Sequence, residues 1–328
     1  MKKIWRSLPF LWILLGLIVF GASYYGYQLL LHANEQAEQL TYPIESNGET
    51  KEKQKRKIKD AVYCPRQIKP VTPKTYAKAQ LHYTEILNQW GIGALFIPSA
   101  NIHSKILAGM ANQNLMVGVG TYYKDQQLSR GNYVLLAHNL VQGGGTLKNL
   151  PKISLQEVIY ATDFTNVYEY QATKNEVVPA SRGDVLAVPD YDKPAVLTLI
   201  RCEGGINTFN RAIVQGEFLK VYPVSKASDS VKLGLGLVQS HLVIDDTMIS
   251  SQNKSSETKG HIQAKKGSKL KRQKTRYSPV QTLCISLFTV LNEFPFLMGI
   301  SYFLGLLVLT HIATRKQVEF KKIRRRLF

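Results

Sequence analysis

The run from Ser7 to Leu31 contains 25 residues without a charge, rich in Leu, Ile, Trp and Phe. As a helix at about 1.5 Å per residue it is longer than the roughly 30 Å hydrocarbon core of a bilayer. Such a segment reads as a membrane anchor or a secretory signal, and either directs the remainder to or across a membrane. Lys2, Lys3 and Arg6 precede it, which by the positive-inside bias places the N-terminus in the cytoplasm. A cleaved signal peptide would have a shorter apolar region and a small-x-small site. Tyr24, Tyr25 and Tyr27 read instead as an interfacial belt, and the segment is expected to be an uncleaved anchor.

A second apolar region begins at Ser278. Ser278–Asn292 is short, Glu293 interrupts it, and Phe294–Ala313 supplies 20 uncharged residues, enough for one pass. Arg315, Lys316, Lys321, Lys322, Arg324, Arg325 and Arg326 follow, with Glu319 as the lone acid among them. Both termini are therefore expected in the cytoplasm, with the intervening chain outside. The basic stretch Lys254–Arg276, with nine Lys/Arg, falls on the outer side. Long translocated regions are less bound by the charge rule.

The net charge of +19 would by itself suggest a nucleic-acid partner. Its distribution argues against one. Residues 1–80 hold 13 basic and 6 acidic side chains, residues 81–225 hold 11 of each, and residues 226–328 hold 18 and 6. The charge sits on two arms around a balanced centre. The expected division is 1–32 cytoplasmic end and anchor, 33–74 polar basic linker, 75–225 central domain, 226–277 basic flexible linker, 278–314 apolar membrane segment and 315–328 basic tail. The outer basic arms, Lys265–Lys274 above all, are suited to hold anionic lipid headgroups or acidic wall polymers.

The centre reads mainly as short strands between Gly, Pro, Asn and Asp signals. Tyr133–Ala137, Asn166–Gln171, Asp184–Val188, Ala195–Cys202 and Arg211–Tyr222 carry β-formers, and Thr75–Trp90 has the spacing of a helix. Many short strands favour a barrel or sandwich. Three cysteines, Cys64, Cys202 and Cys284, match no zinc or disulfide pattern. Cys202 ends a strand on the same alternating face as Val196, Thr198 and Ile200. Its bland reading is a buried inert thiol, and the bland reading of His138 and Arg211 is surface. The three together are more specific. A thiol needs a proton acceptor, an imidazole can serve and later protonate a leaving amine, and a guanidinium can stabilise an oxyanion.

These residues resemble the sortases, cysteine transpeptidases that anchor proteins to Gram-positive cell walls. The likeness spans roughly residues 91–222 and is most specific at Ala137-His138-Asn139, Leu197-Thr-Leu-Ile-Arg-Cys202 and Arg211-Ala-Ile-Val-Gln-Gly-Glu217. It implies a mainly β fold, a closed eight-stranded sortase barrel with short helices, flanked by transmembrane helices. It implies His138 as acid/base, Cys202 as nucleophile and Arg211 as oxyanion or substrate stabiliser, with Ala137, Thr198 and Ile200 as substrate-binding positions. The implied reaction cleaves an LPxTG-type sorting signal between Thr and Gly through a thioacyl enzyme. The acceptor is a lipid-linked cell-wall precursor amine in housekeeping (class A) members and a pilin lysine in class C members. The partners are thus LPxTG-type surface proteins and the membrane, with no nucleic acid.

Two departures stand out. Arg201 occupies a position where the family's TLxTC box has threonine, and an extra positive charge there would favour a thiolate at Cys202. The C-terminal span is more typical of class C, yet residues 32–80 contain no Asp-Pro-aromatic lid motif, and the pattern around Gly145-Thr-Leu-Lys-Asn-Leu-Pro is closer to class A. Arg201 also motivates a different reading, a degenerate non-catalytic assembly protein. A papain-like hydrolase would need Cys before His, the reverse of the order here. No cofactor is expected. A calcium ion would have to use Glu157, Asp163 and Asp190, which the sequence does not cluster.

Overall fold

The computed structural model describes residues 2–33, 42–43, 47–140, 145–190, 192–203, 208–238 and 276–327. The basic stretch from Lys254, except Arg276, lies outside the described residues, as do Gly143 and the Gly204–Gly205 pair.

Eight strands close into a barrel: β1 (Gly91–Ile97), β2 (Ile102–Leu107), β3 (Val119–Thr121), β4 (Asn132–Ala137), β5 (Val158–Thr162), β6 (Asn166–Pro179), β7 (Val196–Glu203) and β8 (Asn210–Pro223). The spatial order is β1-β2-β3-β4-β7-β8-β6-β5, with β5 returning to β1. Closure leaves the barrel itself without a free strand edge. Most neighbours are antiparallel, but β2–β3 and β4–β7 are parallel.

The interior is filled by alternate residues, among them Leu95, Leu135, Ile159, Leu197, Leu199 and Val214. The other face of β4, β7 and β8 is also covered. Val134, Ile200 and Ile213 pack with Val178 and Val185 beneath the connection from β6 to β7. Asn132 Nδ2 donates to the carbonyls of Val185 (3.1 Å) and Ala187 (3.0 Å) and ties that connection down. Burial on both faces explains why β7 reads as a nearly continuous apolar run rather than an alternating one. Within the same connection Asp184–Leu186 is a 3-10 turn, not the strand expected over Asp184–Val188. Its Val and Leu are there to cover β4 and β7, and a β-rich composition does not distinguish a covering turn from a ladder.

Helix α1 (Lys2–Leu31) is followed by α2 (Asn47–Asp60), α3 (Pro73–Leu81) and α4 (Tyr83–Trp90). The segment read from sequence as a polar basic linker over 33–74 contains α2, which docks on the barrel. Gln54 Nε2 donates to the carbonyls of Ile92 (2.8 Å) and Asp163 (2.7 Å), and Ile58 packs against the interior cluster. Lys57 Nζ adds a bond to the Gly91 carbonyl at 2.8 Å, so a few side chains hold a helix whose composition otherwise signals solvent. The expected single helix Thr75–Trp90 is two, parted at His82, with Thr72 capping the first in a reciprocal capping box and Pro73 at its first turn. A short α5 (Asn112–Val117) precedes β3, and α6 (Asp229–Gly234) follows β8.

The C-terminal region forms α7 (Pro279–Glu293) and α8 (Pro295–Leu327). Ser278 and Gln281 cap α7 reciprocally. It packs with α1, α3 and α4 around Leu30, Tyr76, Tyr83, Leu87 and Ile285. Arg276 anchors its approach, donating to Gln80 Oε1 at 2.6 Å and lying 4.5 Å over the Tyr83 ring. Lys74 pairs with Glu293 at 2.8 Å. Among the described residues two helices are long and apolar enough to cross a membrane, over Ser7–Leu31 and Pro295–Glu319. The contacts show α1 antiparallel to α7 and α8. Trp12 stacks on Tyr302 (ring centroids 5.8 Å apart) and Tyr27 meets Phe288 (5.4 Å). Antiparallel packing places the basic start of α1 and the basic segment after Ala313 at the same end, away from the barrel.

At Gly26 the backbone of α1 lies directly against that of α7, and a side chain there would run into the Cys284 backbone. Gly26→Val is expected to cost about 1–3 kcal/mol by overpacking. In detergent micelles it should lower the melting temperature and expose the buried Cys284 to maleimide labelling; unchanged labelling would mean that the helix pair does not need this contact.

Candidate active site

Registry places the three chemical residues together. In the parallel β4–β7 ladder Ala137 is opposite Arg201, so His138 and Cys202 each lie one residue beyond the last pair. In the antiparallel β7–β8 ladder Cys202 is opposite Arg211. Adjacent strands are about 4.8 Å apart, so the three residues sit on three neighbouring strand ends. They also share a face. Leu199 and Val214 point into the barrel while Ile200 and Ile213 point outward, and alternation carries His138, Cys202 and Arg211 outward too.

All three line one cavity of about 470 Å³. Its other walls come from outside the barrel: the strap Ile68–Pro73, Tyr76 of α3, Tyr27, Leu30 and Leu31 at the end of α1, and Phe288 and Asn292 of α7. Helices α1 and α7 thus contribute to the same cavity as the thiol.

His138 is held by Asn112. Its Nε2 lies 2.8 Å from Asn112 Oδ1, which also accepts the backbone N–H of Lys69 at 3.0 Å. The Lys69 amide can only donate, which fixes the shared atom as oxygen. Nε2 of His138 therefore carries the hydrogen, and Nδ1 keeps the lone pair in the neutral ring. Burial pushes the His138 pKa down to about 4, because the charged ring would lose its hydration. The imidazole is neutral at physiological pH and available as a base. Arg211 is pinned by its own Nη1, which donates to the carbonyls of Thr208 (2.9 Å) and Asn210 (2.8 Å).

The remaining sequence candidates lie elsewhere. Ala137 is in the barrel interior. Thr198 is fully buried, donating to Asn132 Oδ1 (2.7 Å) and accepting from Gln215 Nε2 (3.0 Å). Ile200 belongs to the covered outer cluster. None of the three lines the cavity. Arg201 faces away from Cys202, and its Nη2 is paired with the Glu203 carboxylate, so its charge is neutralised locally instead of being presented to the thiol. Asp163 is used in a turn, accepting from the N–H groups of Thr165 and Asn166 and from the Tyr168 hydroxyl. Asp190 pairs with Lys193. Among the described residues no group of three His, Cys, Asp or Glu could hold a metal ion.

Sequence reasoning missed Asn112, Thr208, the strap and the helical wall. Asn112 sits in an Ala-Asn-Gln-Asn stretch with no signal separating it from any polar turn. The wall residues look like ordinary membrane-helix residues, and only their packing brings them to the site.

A family model described as the sortase domain matches residues 95–219. Sortase A of Listeria monocytogenes is 29% identical over 135 residues, 41% of this chain and 60% of that protein. The chain thus spans about 60% of the length of that relative, and the same share of sortase A from Bacillus anthracis, at 30% identity. A solved structure of sortase A from Listeria monocytogenes aligns with 44% of this chain and 97% of that one, at 25% identity and a TM-score of 0.41. A Bacillus subtilis protein named "Putative sortase YwpE" is 32% identical over 96 residues, covering 29% of this chain and 91% of that protein. With a closed eight-stranded barrel and a match over nearly the whole of that last relative, the chain belongs to the sortase family.

Proposed function

We propose that the protein is a membrane-held cysteine transpeptidase that cleaves an LPxTG-type sorting signal between Thr and Gly and transfers the acyl part to an amine. The observation that carries this reading is the placement of His138, Cys202 and Arg211 on one face of three adjacent strand ends, in one cavity.

The chemistry follows from the donor and acceptor inventory. Neutral His138 takes the thiol proton of Cys202 at Nδ1 as the sulfur attacks the threonyl carbonyl carbon. The Arg211 guanidinium stabilises the oxyanion that forms. As the C–N bond breaks, His138 returns the proton to the leaving glycyl amine, and a thioester to Cys202 remains. The acceptor amine then attacks, its proton passes to His138, and the Cys202 sulfur leaves and is reprotonated. The mostly apolar cavity suits an extended peptide better than a polyanion.

Sortase A relatives favour a housekeeping acceptor, the amine of a lipid-linked wall precursor. The C-terminal helix α8 favours the second reading, a pilin lysine. Basic flanks at the shared end of α1 and α8 favour a cytoplasmic location for both termini and an outer location for the barrel.

Mass spectrometry of the full chain in micelles with an LPxTG peptide and a panel of amines tests this reading. It is expected to report a thioacyl adduct on Cys202 and the preferred acceptor. Cys202→Ala should abolish both cleavage and transfer; undiminished turnover would overturn the proposal.

Phe288→Ala trims the α7 wall of the cavity. About 1 kcal/mol of lost apolar contact corresponds to a KM for the peptide raised about fivefold, with kcat little changed. A KM identical to that of the parent chain would remove α7 from the substrate site.

Burial of His138 also predicts an acid sensitivity. Its folded pKa, about 4, lies below the unfolded value, so the unfolded chain binds the proton first and stability falls as pH drops from about 6.5 to about 4. The loss is on the order of 3 kcal/mol. Denaturant melts of wild type and His138→Asn should converge or cross on acidification; parallel pH profiles would contradict the buried neutral imidazole.

A further inference from the structure

We propose that Arg201 is a positioning residue that clamps the segments carrying His138 and Cys202 to one another through Asn139 and Glu203. The clamp rests on the reading above, in which the imidazole and the thiol act on one acyl centre.

Main-chain pairing between β4 and β7 stops at Ala137 and Arg201. One residue later the ladder no longer sets the distance that matters. The His138 N–H donates to the Leu115 carbonyl at 2.9 Å, so the His138 backbone is drawn toward α5 and not toward β7. Cys202 remains paired on its other side, with Arg211. The two reacting side chains therefore leave from strand ends that are diverging in their backbone bonding.

Arg201 spans that gap. Its Nη1 donates to Asn139 Oδ1 at 2.8 Å, and its Nη2 donates to the Glu203 carboxylate. Asn139 directly follows His138, and Glu203 directly follows Cys202. The residue is 8% exposed and lies on the barrel-interior parity of β7, behind the thiol. A planar fork can hold both partners at a fixed separation, which neither threonine nor the single ammonium of lysine can do. Thr208, whose carbonyl holds Arg211, bonds the Glu203 carbonyl through its hydroxyl. The clamp thereby reaches the third member of the site.

A misplacement of reacting groups by about 1 Å costs on the order of a hundredfold in rate, so loosening the clamp should act on kcat. With the full chain in micelles and an LPxTG peptide, Asn139→Ala and Glu203→Gln are each expected to lower kcat about tenfold or more, with KM within about twofold. Arg201→Met should lower kcat further, and adding Asn139→Ala to it should cost nothing more, because both remove the same bridge. Arg201→Lys should recover only part of the loss. The two single-arm variants decide the matter should Arg201→Met fail to fold, as judged by its melting curve. The proposal is overturned if both single-arm variants keep kcat within about twofold, if the Arg201 and Asn139 losses multiply, or if lysine restores kcat in full. Persistence of turnover in Cys202→Ala would instead remove the reading beneath it, and the two failures are distinguishable on the same assay.

Discussion

The parallel pairing of β4 with β7 is the constraint on which the site depends. It joins strands distant in sequence, placing Ala137 opposite Arg201. Because side chains alternate, a slip of one residue would turn His138 into the barrel or bring Arg201 out in place of Cys202. The register is protected on both sides of the sheet. Leu197 and Leu199 fill the interior while Ile200 and Ile213 are covered from outside, so a slip would exchange two sets of side chains that are each fitted to different neighbours. The polar links among Asn132, Thr198 and Gln215 add a directional lock to the same three strands. Thr198 serves the site through this lock, at a distance from the cavity.

The anchors are part of the same construction. Helix α1 and helix α7 come together over glycine and small-residue contacts, and their barrel-proximal ends wall the cavity that holds Cys202. The apolar helix α1 and the cavity that holds Cys202 therefore share residues. Tyr27, which reads in the sequence as one of an interfacial belt, packs on Phe288 and faces the site.

Much of this was legible beforehand, for identifiable reasons. Length without charge marks Ser7–Leu31 and Phe294–Ala313, since no local context can disguise a long uncharged run. The strands ending at Ala137 and Cys202 carry dense β-formers. Other features were hidden. Helix α2 is polar by composition and is docked by Gln54 and Ile58, signals too sparse for a periodicity argument. The connection at Asp184–Leu186 looks like a strand because it supplies a cover for one. Ala137 and Ile200 resemble pocket residues by adjacency to the motif, but their faces are spent on packing.

The sequence by itself determined that a charge-balanced domain is held between basic arms and apolar helices, and that a histidine, a cysteine and an arginine recur in sortase order. Those are properties of composition and linear spacing. Only the tertiary structure decided which faces those residues share, that Asn112 sets the His138 tautomer, that Arg201 turns inward to Glu203 and Asn139, and that α1 and α7 wall the cavity. Each of these depends on registry or on contacts between residues far apart in the chain, and strand alternation makes such facts sensitive to a single residue of offset, which linear spacing does not encode.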